Sequence, residues 1–215
     1  MTEDGMLLVD KPAGITSFGV VARVRRKLSE QLGKKAKVGH TGTLDPFATG
    51  LMIIVTGKEC RNASSYSKLD KEYEATITLG ATSSTGDPEG ELTQVSDQQP
   101  TKEALEAALG QFVGEITQRP PMFSAIKING RRAYDLARKG EVVEMPERQV
   151  TIFSLELLEY AYPHVRIRVH VSSGTYIRTL AEDVGKVLET GAYCSELRRT
   201  KVGEWSVVGA MPIEV

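Results

Sequence analysis

Apolar residues recur along this chain in two rhythms, one with the period of a strand and one with the period of a helix. Met6 to Asp10 form a short apolar strand. Val20, Val21, Val24 and Leu28 then follow at helical spacing. Thr16 or Ser17 can cap the free N–H groups of that helix, and Gly33 ends it. Leu51-Met52-Ile53-Ile54-Val55 is apolar on both faces, which predicts a strand central in its sheet. Tyr73, Ala75, Ile77 and Leu79 alternate with Glu74, Thr76 and Thr78, a half-buried strand that Gly80 ends. Asp87-Pro88-Glu89-Gly90 reads as a turn. Thr101 can cap a helix whose apolar face is Ala104, Leu105, Ala108, Leu109 and Phe112. Ser124 to Ile128 reads as a strand that turns at Asn129-Gly130, a pair that accepts the positive φ of a type I′ turn, and a short helix from Ala133 to Lys139 follows. Val150 to Tyr160 and His164 to Ser172 predict two neighbouring antiparallel strands. Leu180, Val184, Val187 and Leu188 give the apolar side of a last helix, ended by Gly191, with Tyr176 and Arg178 at the strand-to-helix junction. These elements predict an α+β chain built on a mixed, mainly antiparallel sheet flanked by helices.

Length and composition narrow this further. With 215 residues the chain can bury a full core, and we read residues 1–215 as one domain. No apolar run approaches the roughly 20 residues of a membrane span, and the acidic first residues carry no basic segment followed by an apolar one, so a cytoplasmic protein is expected. Cys60, Cys194, His40, His164 and His170 lie at spacings that assemble no zinc site, so neither metal nor disulfide is expected. The net charge of −1 conceals an asymmetry. Arg23, Arg25, Arg26, Lys27, Lys34, Lys35 and Lys37 are opposed in their stretch only by Glu30, whereas between residues 87 and 115 seven acids face Lys102 alone. A second basic stretch carries Arg131, Arg132, Arg138 and Lys139, and a third Arg198, Arg199 and Lys201. A polyanion held along one face would match such a distribution, and so would ordinary solvated helix faces.

Candidate chemistry concentrates in Gly39-His40-Thr41-Gly42-Thr43-Leu44-Asp45-Pro46-Phe47-Ala48-Thr49-Gly50. Its Gly and Thr content suits a tightly bent backbone that presents one carboxylate, Asp45, from a loop. By themselves an Asp-Pro pair and several glycines signal only a turn. The twelve residues, however, resemble the signature loop of the TruB family of RNA pseudouridine synthases, in which the Asp is catalytic. Asp10 to Ser17 is similar to that family's D-K-P-x-G-x-T-S motif, and Lys71-Glu72-Tyr73 to the strand carrying its active-site Tyr. Ser173 to Thr179 resembles its G-T-Y-I-R-T motif, and Leu197-Arg198-Arg199 its L-R-R. The five segments stand in the family's order and span nearly the whole chain.

The resemblance implies isomerisation of uridine to pseudouridine in the T loop of tRNA, by a monomer that needs no guide RNA, metal or other cofactor. It assigns catalysis to Asp45, Tyr73 and Arg178, with Arg178 pairing with the Asp45 carboxylate and holding it ionised. Tyr73 and Tyr176 would line the pocket, although alternating strand tyrosines are also ordinary core residues. His40 would fill the space left by a flipped base or be hydrogen-bonded within its own loop. Lys11 would contact phosphate or support the loop, and Leu197 would pack on the uracil. Residues from about 122 to 149 would form a thumb-like insertion whose Arg131, Arg132, Arg138 and Lys139 grip RNA, joined by Arg198 and Arg199. The family usually continues into a small C-terminal RNA-binding domain of PUA type, which is not expected here. Two rivals are a relative acting on other RNAs, some of them guide-dependent, and an RNA chaperone that needs only the basic surfaces.

Overall fold

In the computed structural model, residues 2–124, 126–128, 130–137 and 144–213 are described. The first third of the chain forms β1 (Gly5–Lys11), α1 (Ser17–Leu32), β2 (Val38–His40), β3 (Thr49–Thr56), a 3-10 turn (Gly57–Arg61), α2 (Ala63–Ser67) and β4 (Lys71–Leu79). Next come β5 (Ala81–Ser83), β6 (Leu92–Gln94), α3 (Lys102–Gly110), β7 (Gly114–Gln118), β8 (Lys127–Ile128), β9 (Arg131–Arg132) and α4 (Ala133–Ala137). The chain closes with β10 (Arg148–Ala161), β11 (His164–Val171), α5 (Ile177–Val187), β12 (Ala192–Val202), β13 (Trp205–Ser206) and β14 (Met211–Pro212). The fold is α+β on a large, mainly antiparallel sheet, as the apolar alternation implied.

The chain divides into two compact units, Met1–Glu74 with Leu197–Val215, and Ala75–Glu196. In the first, β3 has neighbours on both edges. β1 runs antiparallel along one, and β12 and then β2 occupy the other. Its side chains are buried on both faces. Leu51, Ile53, Val55 and Val202 are buried with Leu8, Tyr66, Leu69 and Trp205 packed against them. On α1, the Thr16 hydroxyl accepts from the Gly19 N–H at 2.9 Å, Gly33 caps the far end at φ 65°, and Val20, Val21, Val24 and Leu28 are buried. Both caps and the apolar stripe follow the sequence reading.

In the second unit, β10 and β11 form a long antiparallel hairpin with two register shifts, and β7 adds to β10. Arg166 pairs with Glu159 and Arg168 with Glu156 across its exposed face. Several expectations are corrected here. Thr76 and Thr78 are buried rather than solvent-facing, because they bond Glu196 and Ser195 on β12. On α3, Ala104 is exposed and the helix stops at Gly110, before Phe112. Val187 is 43% exposed, off the buried side of α5. Of the strand expected from Ser124, the described residues show β8, which pairs Ile128 with Arg131 on β9.

Candidate active site

The segment from Gly39 to Gly50 leaves β2, crosses a loop and enters β3, and its backbone is held from several directions within the first unit. Ser17 Oγ donates to the Leu44 carbonyl and accepts from the Leu44 N–H, both at 2.8 Å. The Gly14 N–H donates to the Pro46 carbonyl at 2.9 Å. Lys11 is fully buried, and its ammonium donates to the carbonyls of Pro12, Ile15 and Pro46. Three residues of the Asp10-to-Ser17 motif thus clamp the residues on either side of Asp45. Lys11 was expected either to meet phosphate or to support the loop, and the structure places it in support of the loop.

Arg199 completes the hold. Its guanidinium donates to the carbonyls of Leu51, Thr43 and Gly42 at 2.7, 3.3 and 3.2 Å, and only 2% of the residue is exposed. An RNA-facing position for Arg199 is corrected accordingly: a cation buried against three carbonyls acts on the loop. Gly50 sits in register between Lys11 on β1 and Arg199 on β12, at φ 107°. A Cβ there would lie 2.3 Å from the Arg199 carbonyl oxygen, so only glycine fits. Asp45 itself is half-buried and opens a turn in which the Ala48 N–H returns to the Asp45 carbonyl at 3.2 Å, with Pro46 at the second position. Its carboxylate is therefore presented from a fixed backbone. Removing the clamp should show. Ser17→Ala strips partners from a buried N–H and a buried carbonyl, a loss of about 1–3 kcal/mol that a urea titration would register.

The other positions in this unit are less elaborate. His40 ends β2 opposite Ile54 and is half-buried. Tyr73 on β4 and Leu197 on β12 are each 8% exposed. Arg198 makes a two-pronged ion pair with Asp10, at 3.1 and 2.7 Å. Lys71 is buried, bonded to the carbonyls of Ser67 and Leu69, and its pKa is pushed down to about 8, chiefly by burial and then by the Arg199 charge. The pH dependence follows. Between about pH 8 and 10.5 the unfolded chain keeps a proton at Lys71 that the folded one has released, so stability rises across that window. Compared with Lys71→Met, the wild type should gain about 1–3 kcal/mol from pH 7.5 to pH 10.5, as read by urea unfolding at both pH values.

In the second unit, Arg178 lies in the first turn of α5 and is 3% exposed. Its guanidinium donates to Asp87 Oδ2 at 2.9 Å, to the Thr85 carbonyl at 2.9 Å and to the Phe123 carbonyl at 2.8 Å. Asp87 is equally buried and also accepts from the Thr85 hydroxyl and the Glu89 N–H. Sequence reasoning read Asp87 as a turn residue in an acidic stretch, and the structure shows it as a buried anion. Tyr176 stands at the N-terminus of α5, where the buried Gln118 amide accepts from its N–H at 3.0 Å and donates to its carbonyl at 3.2 Å. The Arg148 guanidinium lies 4.6 Å from the centre of its ring. Asp87 carried no signal beyond that of a turn residue, and Gln118 carried none. Arg131 lies on the exposed part of β9, next to Arg132, while Arg138 and Lys139 lie outside the described residues.

The chain matches the family model of the TruB family pseudouridylate synthase, N terminal domain, over residues 25–177. Residues 178–212 match the tRNA pseudouridylate synthase B C-terminal domain. The chain belongs to the TruB family of pseudouridylate synthases, a family of isomerases. A tRNA pseudouridine synthase B of Phocaeicola vulgatus is 47% identical over 99% of this chain and 91% of its own length. One of Aquifex aeolicus is 46% identical over 98% of this chain and 72% of its own. Among solved structures, a chain of a Cbf5–Nop10–Gar1 complex is 31% identical over 95% of this chain, with a TM-score of 0.72. This chain spans 50% of that one.

Proposed function

We propose that this protein isomerises uridine to pseudouridine in the T loop of tRNA, with the Asp45 carboxylate as the reacting protein group and without a guide RNA. The observation that carries the reading is the clamped loop: the residues flanking Asp45 are fixed by Ser17, Gly14, Lys11 and Arg199, which holds one carboxylate where a bound nucleotide can meet it. The relatives' names supply the RNA class.

The reaction breaks the N1–C1′ bond of uridine and joins C1′ to C5 of the same base, so atoms are conserved and no oxidant is consumed. Asp45 serves as nucleophile or base in that exchange. Arg178 orients this carboxylate and keeps it ionised, its own head fixed by Asp87 and two carbonyls. Tyr73 stacks on the target base, Tyr176 and Leu197 complete the pocket, and His40 occupies the space the flipped base leaves.

The test is the purified protein alone, incubated with an unmodified tRNA transcript, with pseudouridine mapped by carbodiimide adducts and primer extension. A single stop at the T-loop uridine is expected. A stop elsewhere, or none without added guide RNA or partner protein, would overturn the assignment.

A further inference from the structure

The solvent face of α1 and the segment just after it carry a concentration of positive charge. Arg26, Lys27, Lys35 and Lys37 are exposed and Arg23 half-buried, and among the described residues none of the five meets an acidic side chain. Lys34, by contrast, is paired with Glu3. At the start of the same helix Phe18 is 66% exposed, and the Arg25 guanidinium stands 5.9 Å from its ring centre while donating to the Val38 carbonyl. An open aromatic face braced by a cation, followed by unpaired cations, is the composition of a surface that stacks an unpaired base and tracks a phosphate backbone.

Placement gives the surface a direction. Phe18, Ala22 and Arg26 succeed one another at four-residue spacing on one stripe, with Arg23 and Lys27 beside it. The 16-residue helix is about 24 Å long, enough to follow several nucleotides. Ser17, adjacent to Phe18, is the residue whose hydroxyl holds Leu44 next to Asp45. From this we infer that RNA whose reacting nucleotide sits at Asp45 continues over α1, stacking one unpaired base on Phe18 and laying its backbone along Arg23, Arg26 and Lys27. The inference rests on the reading of the loop as the reaction site.

The test is filter binding of an unmodified tRNA transcript to the full chain across a salt series. Arg26→Glu with Lys27→Glu should weaken binding at least about 10-fold and lower the slope of log affinity against log salt by about 2. Phe18→Ala should weaken binding about 10-fold and leave the slope unchanged. Lys58→Glu with Lys102→Glu makes the same change in net charge outside α1 and serves as the control, and melting curves verify that every variant folds. Equal weakening by the control pair, or an unaltered salt slope in the α1 pair, overturns the inference while leaving the proposed function standing. A wild type that modifies no uridine and binds no transcript overturns both.

Discussion

Asp45→Asn is expected to lower pseudouridine formation by about 10,000-fold or more, the scale on which enzymes lose rate when the reacting group itself is removed. The contacts that shape the loop are made by main-chain atoms of Gly42, Thr43, Leu44 and Pro46, which the substitution leaves in place. Asn also retains the propensity to open the turn before Pro46. Loss of rate would therefore report on the carboxylate rather than on a collapsed loop. Asp45→Glu keeps the charge but advances it by one methylene, and a displacement of about 1 Å at a reacting centre is enough to cost about 100-fold. Tritium released from C5-labelled uridine in a tRNA transcript measures both variants, and filter binding gives their RNA affinity alongside. An Asn variant retaining a tenth of the wild-type rate would exclude Asp45 as nucleophile or base.

What the sequence disclosed and what it hid follow one physical division. Elements with a regular apolar pattern were legible: α1 with its Thr16 and Gly33 caps, β3 with an unbroken apolar run buried on both faces, and the hairpin of β10 and β11. β12 was not read as a strand, because its buried positions shift register between Cys194 and Leu197 and one of them is occupied by Arg199. A buried charge breaks the hydrophobic rhythm on which strand reading depends. The same blindness applies to the site. The loop motif pointed to Asp45, but Lys11, Arg199 and Asp87 are buried through hydrogen bonds with partners far away in sequence. Lys11 reaches Pro46, Arg199 reaches Gly42, and Asp87 reaches Arg178. Charge patterning counts such residues as surface, because from sequence alone charged side chains are rarely buried unless paired. Only the fold supplies the partners.

The pair of Asp87 and Arg178 allows structural and chemical contributions to be separated. Asp87→Ala takes from a guanidinium at 3% exposure the carboxylate that pairs with it at 2.9 Å, and breaking a buried pair in this way costs about 3–5 kcal/mol. For a chain of this size that corresponds to a fall in melting temperature of roughly 10 °C, measurable by circular dichroism. Turnover should fall with it, because the head of Arg178 would lose the carboxylate that, beside the Thr85 and Phe123 carbonyls, orients it. Replacing both members, Asp87→Leu with Arg178→Met, removes both buried charges and should recover part of the lost stability. Recovery stays partial because those two carbonyls lose their donor. Activity should not return with the fold if Arg178 acts on the reacting carboxylate. A double variant that regains both melting temperature and turnover would make the pair purely structural, whereas regained stability without turnover would place Arg178 in the chemistry.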